Sequence, residues 1–155
     1  MRLEVAQWIE APRRVVWDVL TSWERQHEWM SDALAVEVLT PQRAGVGVTI
    51  RCPTKLLGVT VQDVMRVTGW IDGRELEIVH LGTVIRGTGT FRLEDRDGGT
   101  YVRWIEQIDP PFGAIGEWAA STLALPLLRR VFAGSLAGLD RVVAGGLTTG
   151  CGEWR

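Results

Sequence analysis

Apolar and polar positions alternate in the first ten residues, where Leu3, Val5, Gln7 and Ile9 share one face and Glu4, Ala6, Trp8 and Glu10 the other. That period of two predicts a half-buried strand. Ala11-Pro12 follows, and proline is favoured at a helix start because its missing N–H would be unsatisfied there anyway. Val15, Val16, Val19 and Leu20 then give the stripe of a short helix ending near Leu20. A second short helix is expected over Trp23–Trp29, with Ser22 as its N-cap. Strand signals come next, at about 34–39, 46–52, 57–69, 74–80, 83–94 and 100–108. Gly45, Gly58, Asp72-Gly73, Gly82 and Asp97-Gly98-Gly99 punctuate them, and Asp-Gly pairs suit tight hairpin turns. No helical pattern interrupts these strands, which predicts an antiparallel meander without crossover helices.

From about Gly116 to Val143 the period becomes helical. Trp118, Thr122, Leu125, Arg129, Phe132, Leu136, Leu139 and Val143 lie along one stripe. Five of these, Trp118, Leu125, Phe132, Leu136 and Leu139, are expected to face the sheet. Pro126 removes one ladder hydrogen bond and predicts a kink or break. Residues 145–155 are rich in glycine and are expected to form a flexible tail after a single domain spanning 1–144. A helix with so long an apolar stripe needs a concave apolar surface to cover it. A bent antiparallel sheet supplies one, and the space between the two is a natural cavity.

Composition narrows the function classes. The chain has 155 residues, 46% of them apolar and 23% charged, which fits one soluble domain with one core. A formal net charge of -2 gives no general attraction to nucleic acid, so no nucleic-acid partner is expected. The longest apolar stretch, Trp118 to Leu128, is too short to cross a bilayer, and no integral membrane association is expected. Nothing at the N-terminus reads as a signal peptide, which makes the cytoplasm the expected compartment. Cys52 and Cys151 suggest neither a disulfide framework nor a Cys-x-x-Cys metal motif. Eight Trp beside three Phe and one Tyr supply large rings for a core or for the wall of an apolar pocket.

Several local patterns resemble one superfamily. Ile9-Glu10-Ala11-Pro12-Arg13-Arg14-Val15-Val16-Trp17-Asp18-Val19-Leu20 is similar to the opening I-x-A-P-x-x-x-V-W-x-x-L of the START-like proteins, the SRPBCC superfamily. Glu28-Trp29-Met30 matches the pattern after the second helix, and Gly98-Gly99-Thr100-Tyr101-Val102-Arg103-Trp104 the turn into the last strand. Leu128 to Val143 is similar to the closing helix of the polyketide cyclase/dehydratase-like branch. The resemblance spans roughly residues 2–143. It implies an α+β helix-grip fold: a curved seven-stranded antiparallel sheet around one long C-terminal helix, with two short helices after the first strand. It also implies a pocket, but the superfamily includes carriers, receptors, cyclases and interaction proteins, so the pocket's own polar groups must argue the activity.

Strand parity assigns those groups. Val59, Val61, Asp63, Met65 and Val67 fall on the inner face, as do Leu76, Ile78 and His80. Ile85, Gly87, Gly89, Phe91 and Leu93 follow, and then Val102, Trp104, Glu106 and Ile108. Gly87 and Gly89 leave that wall bare, which opens volume or permits curvature. Asp63, His80 and Glu106 put three ionisable groups on an otherwise apolar surface, with Gln7 nearby in pattern. A buried carboxylate requires a partner, a ligand or a shifted pKa.

Plainer roles compete for each residue. Asp63 and His80 fit a solvated sheet rim, Glu106 fits an ion pair with a residue such as Arg129, and Trp104 and Trp118 fit a core. The candidate ligand-binding set is Asp63, His80, Gly87, Gly89, Phe91, Trp104, Glu106, Trp118, Leu125 and Phe132. No metal is expected, because His27 and His80 are far apart and lack ligand spacing. No cofactor is expected either: Gly87-Thr88-Gly89 lies within a strand rather than in a phosphate loop. No serine sits in a nucleophile turn. Three readings stay open: a binding or carrier protein for an apolar small molecule, a cofactor-independent cyclase/aromatase or dehydratase using Glu106, His80 and Asp63, and a ribosome- or toxin-related interaction module.

Overall fold

The computed structural model describes residues 1–56, 58–109, 122 and 124–150. In chain order the elements are β1 (Arg2–Ile9), α1 (Arg13–Leu20), a 3-10 helix (Trp23–Glu28), β2 (Glu37–Val38), β3 (Thr49–Leu56), β4 (Val59–Ile71), β5 (Glu75–Leu81), β6 (Arg86–Arg96), β7 (Gly99–Ile108) and α2 (Leu125–Gly150). The seven strands form one antiparallel sheet in the order β1-β7-β6-β5-β4-β3-β2. Six of them run as a meander, and β1 closes beside β7. This is the helix-grip architecture that the element order predicts.

The sheet is bent where the sequence departs from plain alternation. The pairing of β4 with β5 shifts register between Val67 and Gly69, a bulge that bends its strand. Gly87 opens β6 at φ 133°, and a Cβ there would lie 1.9 Å from Gln107 O. No other residue fits that close approach. The β6–β7 hairpin turns on Asp97 and Gly98, both at positive φ, which matches the twist of the flanking strands.

The inner face of the sheet and one face of α2 enclose the core. Leu136, Leu139 and Val143 are fully buried, while Phe132 and Leu125 are half-buried. Arg129 and Thr122, on the same predicted stripe, are exposed. The face is therefore set by the second half of the helix, where α2 lies against β1 and α1. Trp118 lies outside the described residues. Trp17, Trp23 and Trp70 form a second aromatic cluster, with Trp17 and Trp70 edge-on at 5.0 Å.

The backbone of Thr122 and Ala124 is π-helical and α2 is α-helical from Leu125, so the helix changes type beside Pro126, where the missing N–H predicts a break; the expected start near Gly116 lies outside the described residues. Two local expectations are corrected. The helix continues to Gly150, through glycines expected to fray. Ser22 precedes the 3-10 helix without capping it: its hydroxyl donates to Asp18 O at 2.6 Å.

Candidate functional site

A cavity of about 320 Å³ lies between the sheet and α2. Its walls are mostly apolar. Phe91 stacks on Trp104 at 4.7 Å between centroids, and Trp104 stacks on Phe132 of α2 at 4.3 Å with planes 12° apart. The three rings make a slab joining sheet to helix. Trp104 thus serves both roles weighed for it, since it is buried in the core and also lines the cavity.

Asp63, His80 and Glu106 meet on this wall and touch one another. They come from β4, β5 and β7. His80 Nδ1 lies 2.9 Å from Asp63 Oδ2 and 3.0 Å from Oδ1. Its Nε2 lies 3.5 Å from Glu106 Oε2, an ion-pair separation. Trp104 Nε1 donates to Glu106 Oε1 at 2.7 Å. Asp63 and Glu106 are each 4% exposed, which removes the solvated-rim reading for Asp63. The His80 side chain is 11% exposed, so it too is largely enclosed. Arg129 is exposed, and the cation beside Glu106 is His80.

Gly89 explains how His80 and Glu106 meet although β6 runs between their strands. It pairs with Glu106 on one side and Ile78 on the other. A Cβ on Gly89 would lie 2.5 Å from Glu106 Oε1 and 3.0 Å from Ile78 Cγ1. The bare position is filled by the Glu106 carboxylate, which leans across β6 toward His80. Gly87, paired with His80 and Ile108, shapes the backbone. Neither glycine lines the cavity, and nor does Leu125; Leu128 and Phe132 present α2 to it, with Ala124 just before the helix. Gln7 lies apart, with its amide 3.5 Å from Asp140 on α2.

The electrostatics follow from this geometry. Burial opposes a charge on His80, but its hydrogen bonds to Asp63 and Glu106 and their negative charges outweigh that. The imidazole is pushed up to about 10 and is cationic at neutral pH. Burial pushes the Glu106 carboxyl up, against the opposing pull of His80 and Trp104.

Two further polar residues escaped strand parity or were passed over by it. Asp32 lies in the loop before β2, where no alternation assigns a face. Its Oδ1 is buried without a hydrogen-bond partner. Burial and the charge of Asp63 push its carboxyl up. Its placement is fixed locally: Ser31 N donates to Ser135 Oγ on α2 at 3.2 Å, and Lys55 N to Asp32 O at 2.9 Å. Cys52, opposite Asp63 across β3 and β4, is a buried free thiol pushed up by burial and by nearby carboxylates. Both line the cavity beside Asp63. The inward parity of Cys52 was available from its strand; Asp32 had no such signal.

Among the described residues no cluster of His, Cys, Asp and Glu has the geometry to hold a metal ion. Among them, too, no helix is long and apolar enough to cross a membrane. The chemistry the wall offers is that of an apolar, aromatic-sided space with a charged and hydrogen-bonding end.

Comparison with known proteins fixes the family. No curated protein matches the chain. Solved structures share the fold at low identity. TTHA0849 from Thermus thermophilus is 18% identical and superposes with a TM-score of 0.81, covering 94% of this chain and 99% of that one. A START superfamily protein from Mycobacterium smegmatis is 9% identical with a TM-score of 0.67, covering 96% and 97%. Ara h 8.0201 is 12% identical with a TM-score of 0.62, covering 94% and 98%. A family model described as polyketide cyclase / dehydrase and lipid transport matches residues 1–144. The chain belongs to the polyketide cyclase/dehydrase and lipid transport family.

Proposed function

We propose that this protein binds an apolar, ring-bearing small molecule in the cavity between sheet and α2 and acts as a carrier or binding protein for it. The observation that carries this reading is the slab of Phe91, Trp104 and Phe132 facing a cavity of about 320 Å³ with one polar end. Aromatic walls favour planar apolar ligands, and a few fixed polar groups orient them. His80 supports binding over proton transfer. Both ring nitrogens face carboxylates, and a group held at about 10 is a poor base at neutral pH.

A cofactor-independent cyclase or dehydratase is the second reading, and one observation favours it. Burial pushes Glu106 up, so a carboxyl that holds its proton more tightly than usual faces the cavity. Paired measurements on Glu106→Gln separate the two readings: a carrier loses affinity, whereas an enzyme loses turnover by about 10²–10⁴-fold with little change in binding.

Native mass spectrometry of the purified protein tests the primary reading. A co-purified apolar compound, released on denaturation, is the expected result. Apo protein that also fails to take up added aromatic compounds would end the reading.

A further inference from the structure

The hydrogen-bonding groups at the polar end of the cavity are unequally spent. The two N–H groups of protonated His80 face Asp63 and Glu106. Trp104 Nε1–H is given to Glu106 Oε1. Thr54 Oγ donates to Cys52 O at 3.3 Å, and Gln26 gives one of its two amide N–H groups to Leu20 O at 3.2 Å. The acceptors are not used up. Each carboxylate oxygen takes two hydrogen bonds at full capacity, yet both Asp63 oxygens share one N–H, and Asp32 Oδ1 has no partner at all. Among the described residues, the other orphaned buried side-chain atom is Trp29 Nε1, which belongs to a residue that does not line the cavity. Among the described residues, the remaining charged lining groups are the exposed Arg86 and Asp109 and the Met1 ammonium, which gives one of its three N–H groups to Ile108 O at 2.8 Å.

We propose that the site selects ligands by hydrogen-bond donors, a hydroxyl, phenol or amine N–H on an apolar ring system, seated against Asp32 and Asp63, and discriminates against ligands whose polar atoms only accept. This rests on the binding reading above and names the ligand class it would take. The physical reason is asymmetric. A donor placed at Asp32 Oδ1 satisfies an acceptor that is buried and unpaired, whereas a carbonyl or ether oxygen there adds one more lone pair to a donor-poor end and strands it. Discrimination built on an unpaired buried group is far larger than that built on apolar fit alone.

Three neutral probes of one shape test this near neutral pH, by calorimetric or fluorescence titration of the full chain: 2-naphthol, 2-methoxynaphthalene and 2-acetylnaphthalene. The phenol is expected to bind at least about tenfold tighter than either acceptor-only probe, the ratio that one satisfied buried hydrogen bond supplies. Asp32→Asn, which puts an N–H donor where an acceptor stood, is expected to shrink that ratio severalfold, with folding checked by circular dichroism. Equal binding of all three probes to the wild type, or preference for the ether or ketone, overturns the proposal and leaves cavity binding intact. A phenol preference that a folded Asp32→Asn variant retains in full overturns the assignment to Asp32. Binding of none of the three overturns both this inference and the function it rests on. If Asp32→Asn does not fold, the wild-type ratio alone decides.

Discussion

Gly89 on β6 faces Glu106 on β7, and the Glu106 carboxylate occupies the space a side chain at Gly89 would fill, with Oε1 2.5 Å from the ideal Cβ position. The pair explains why an acid can lie flat across a strand and approach a histidine two strands away. Gly89→Ala is therefore expected to push Glu106 out of reach of His80 and to destabilise the protein by about 1–3 kcal/mol, the usual range for overpacking. A denaturant midpoint measures it. Combining Gly89→Ala with Glu106→Ala should recover part of the loss, because the clash is then gone. Strict additivity of the two changes would mean that the residues do not interact.

The helix makes two kinds of contact, and they separate by assay. Leu139 is fully buried, so Leu139→Ala is expected to cost about 2–5 kcal/mol of stability. Phe132 is half-buried and stacks on Trp104 at the cavity wall. Phe132→Ala should cost less than the about 3–5 kcal/mol of a fully buried ring, and its larger effect should fall on ligand affinity. Equal stability losses with unchanged binding would place Phe132 in the core alone.

How much of this was legible beforehand differs by element. Strand parity put Asp63, His80 and Glu106 inward because each neighbours apolar residues at a spacing of two. The glycine pair on β6 was visible as a bare stretch of wall. That Gly89 makes room for the neighbouring strand's acid, while Gly87 bends the backbone, was not, because the distinction lies in cross-strand register. Asp32 lay beyond pattern altogether: a loop residue has no period, and its place is fixed by long-range bonds, from Ser31 to Ser135, from Lys55 to Asp32 and from Leu34 to Pro53. The change of helix at Pro126 was legible because a missing N–H interrupts the hydrogen-bond ladder, and the backbone passes from π-helical to α-helical beside it.

Stability should depend on pH through His80. Its folded pKa, about 10, lies above the unfolded value near 6.5. The stabilisation is then fully present below 6.5 and is lost progressively as pH rises through about 10. Glu106 and Asp32, also pushed up, change stability in the same direction, at pH values starting from their lower unfolded pKa values. Thermal midpoints are expected to fall between neutral pH and pH of about 10. Ring resonances of His80, assigned with a His27→Gln variant, should remain those of an imidazolium at pH of about 8. A ring that titrates near an ordinary histidine value, about 6.5, would contradict the ion-pair network.

Glu106→Gln removes a charge and keeps the shape. For a ligand that donates to this carboxylate, affinity should fall by about 1.5–3 kcal/mol, the contribution of a hydrogen bond to a charged group. A ligand lacking donors should lose much less. Calorimetry with matched probes measures the difference, and an equal loss for both would show that the variant has disturbed the cavity itself.

The central claim is that apolar ring compounds bind between sheet and α2. Its most direct test is a two-dimensional NMR titration of isotope-labelled protein with 2-naphthol, followed through the aromatic side chains and the Trp104 indole N–H. Saturable shifts concentrated on Phe91, Trp104, Phe132 and their cavity neighbours are the predicted result. Shifts spread over the outer face of the sheet, or none at saturating probe, would contradict it.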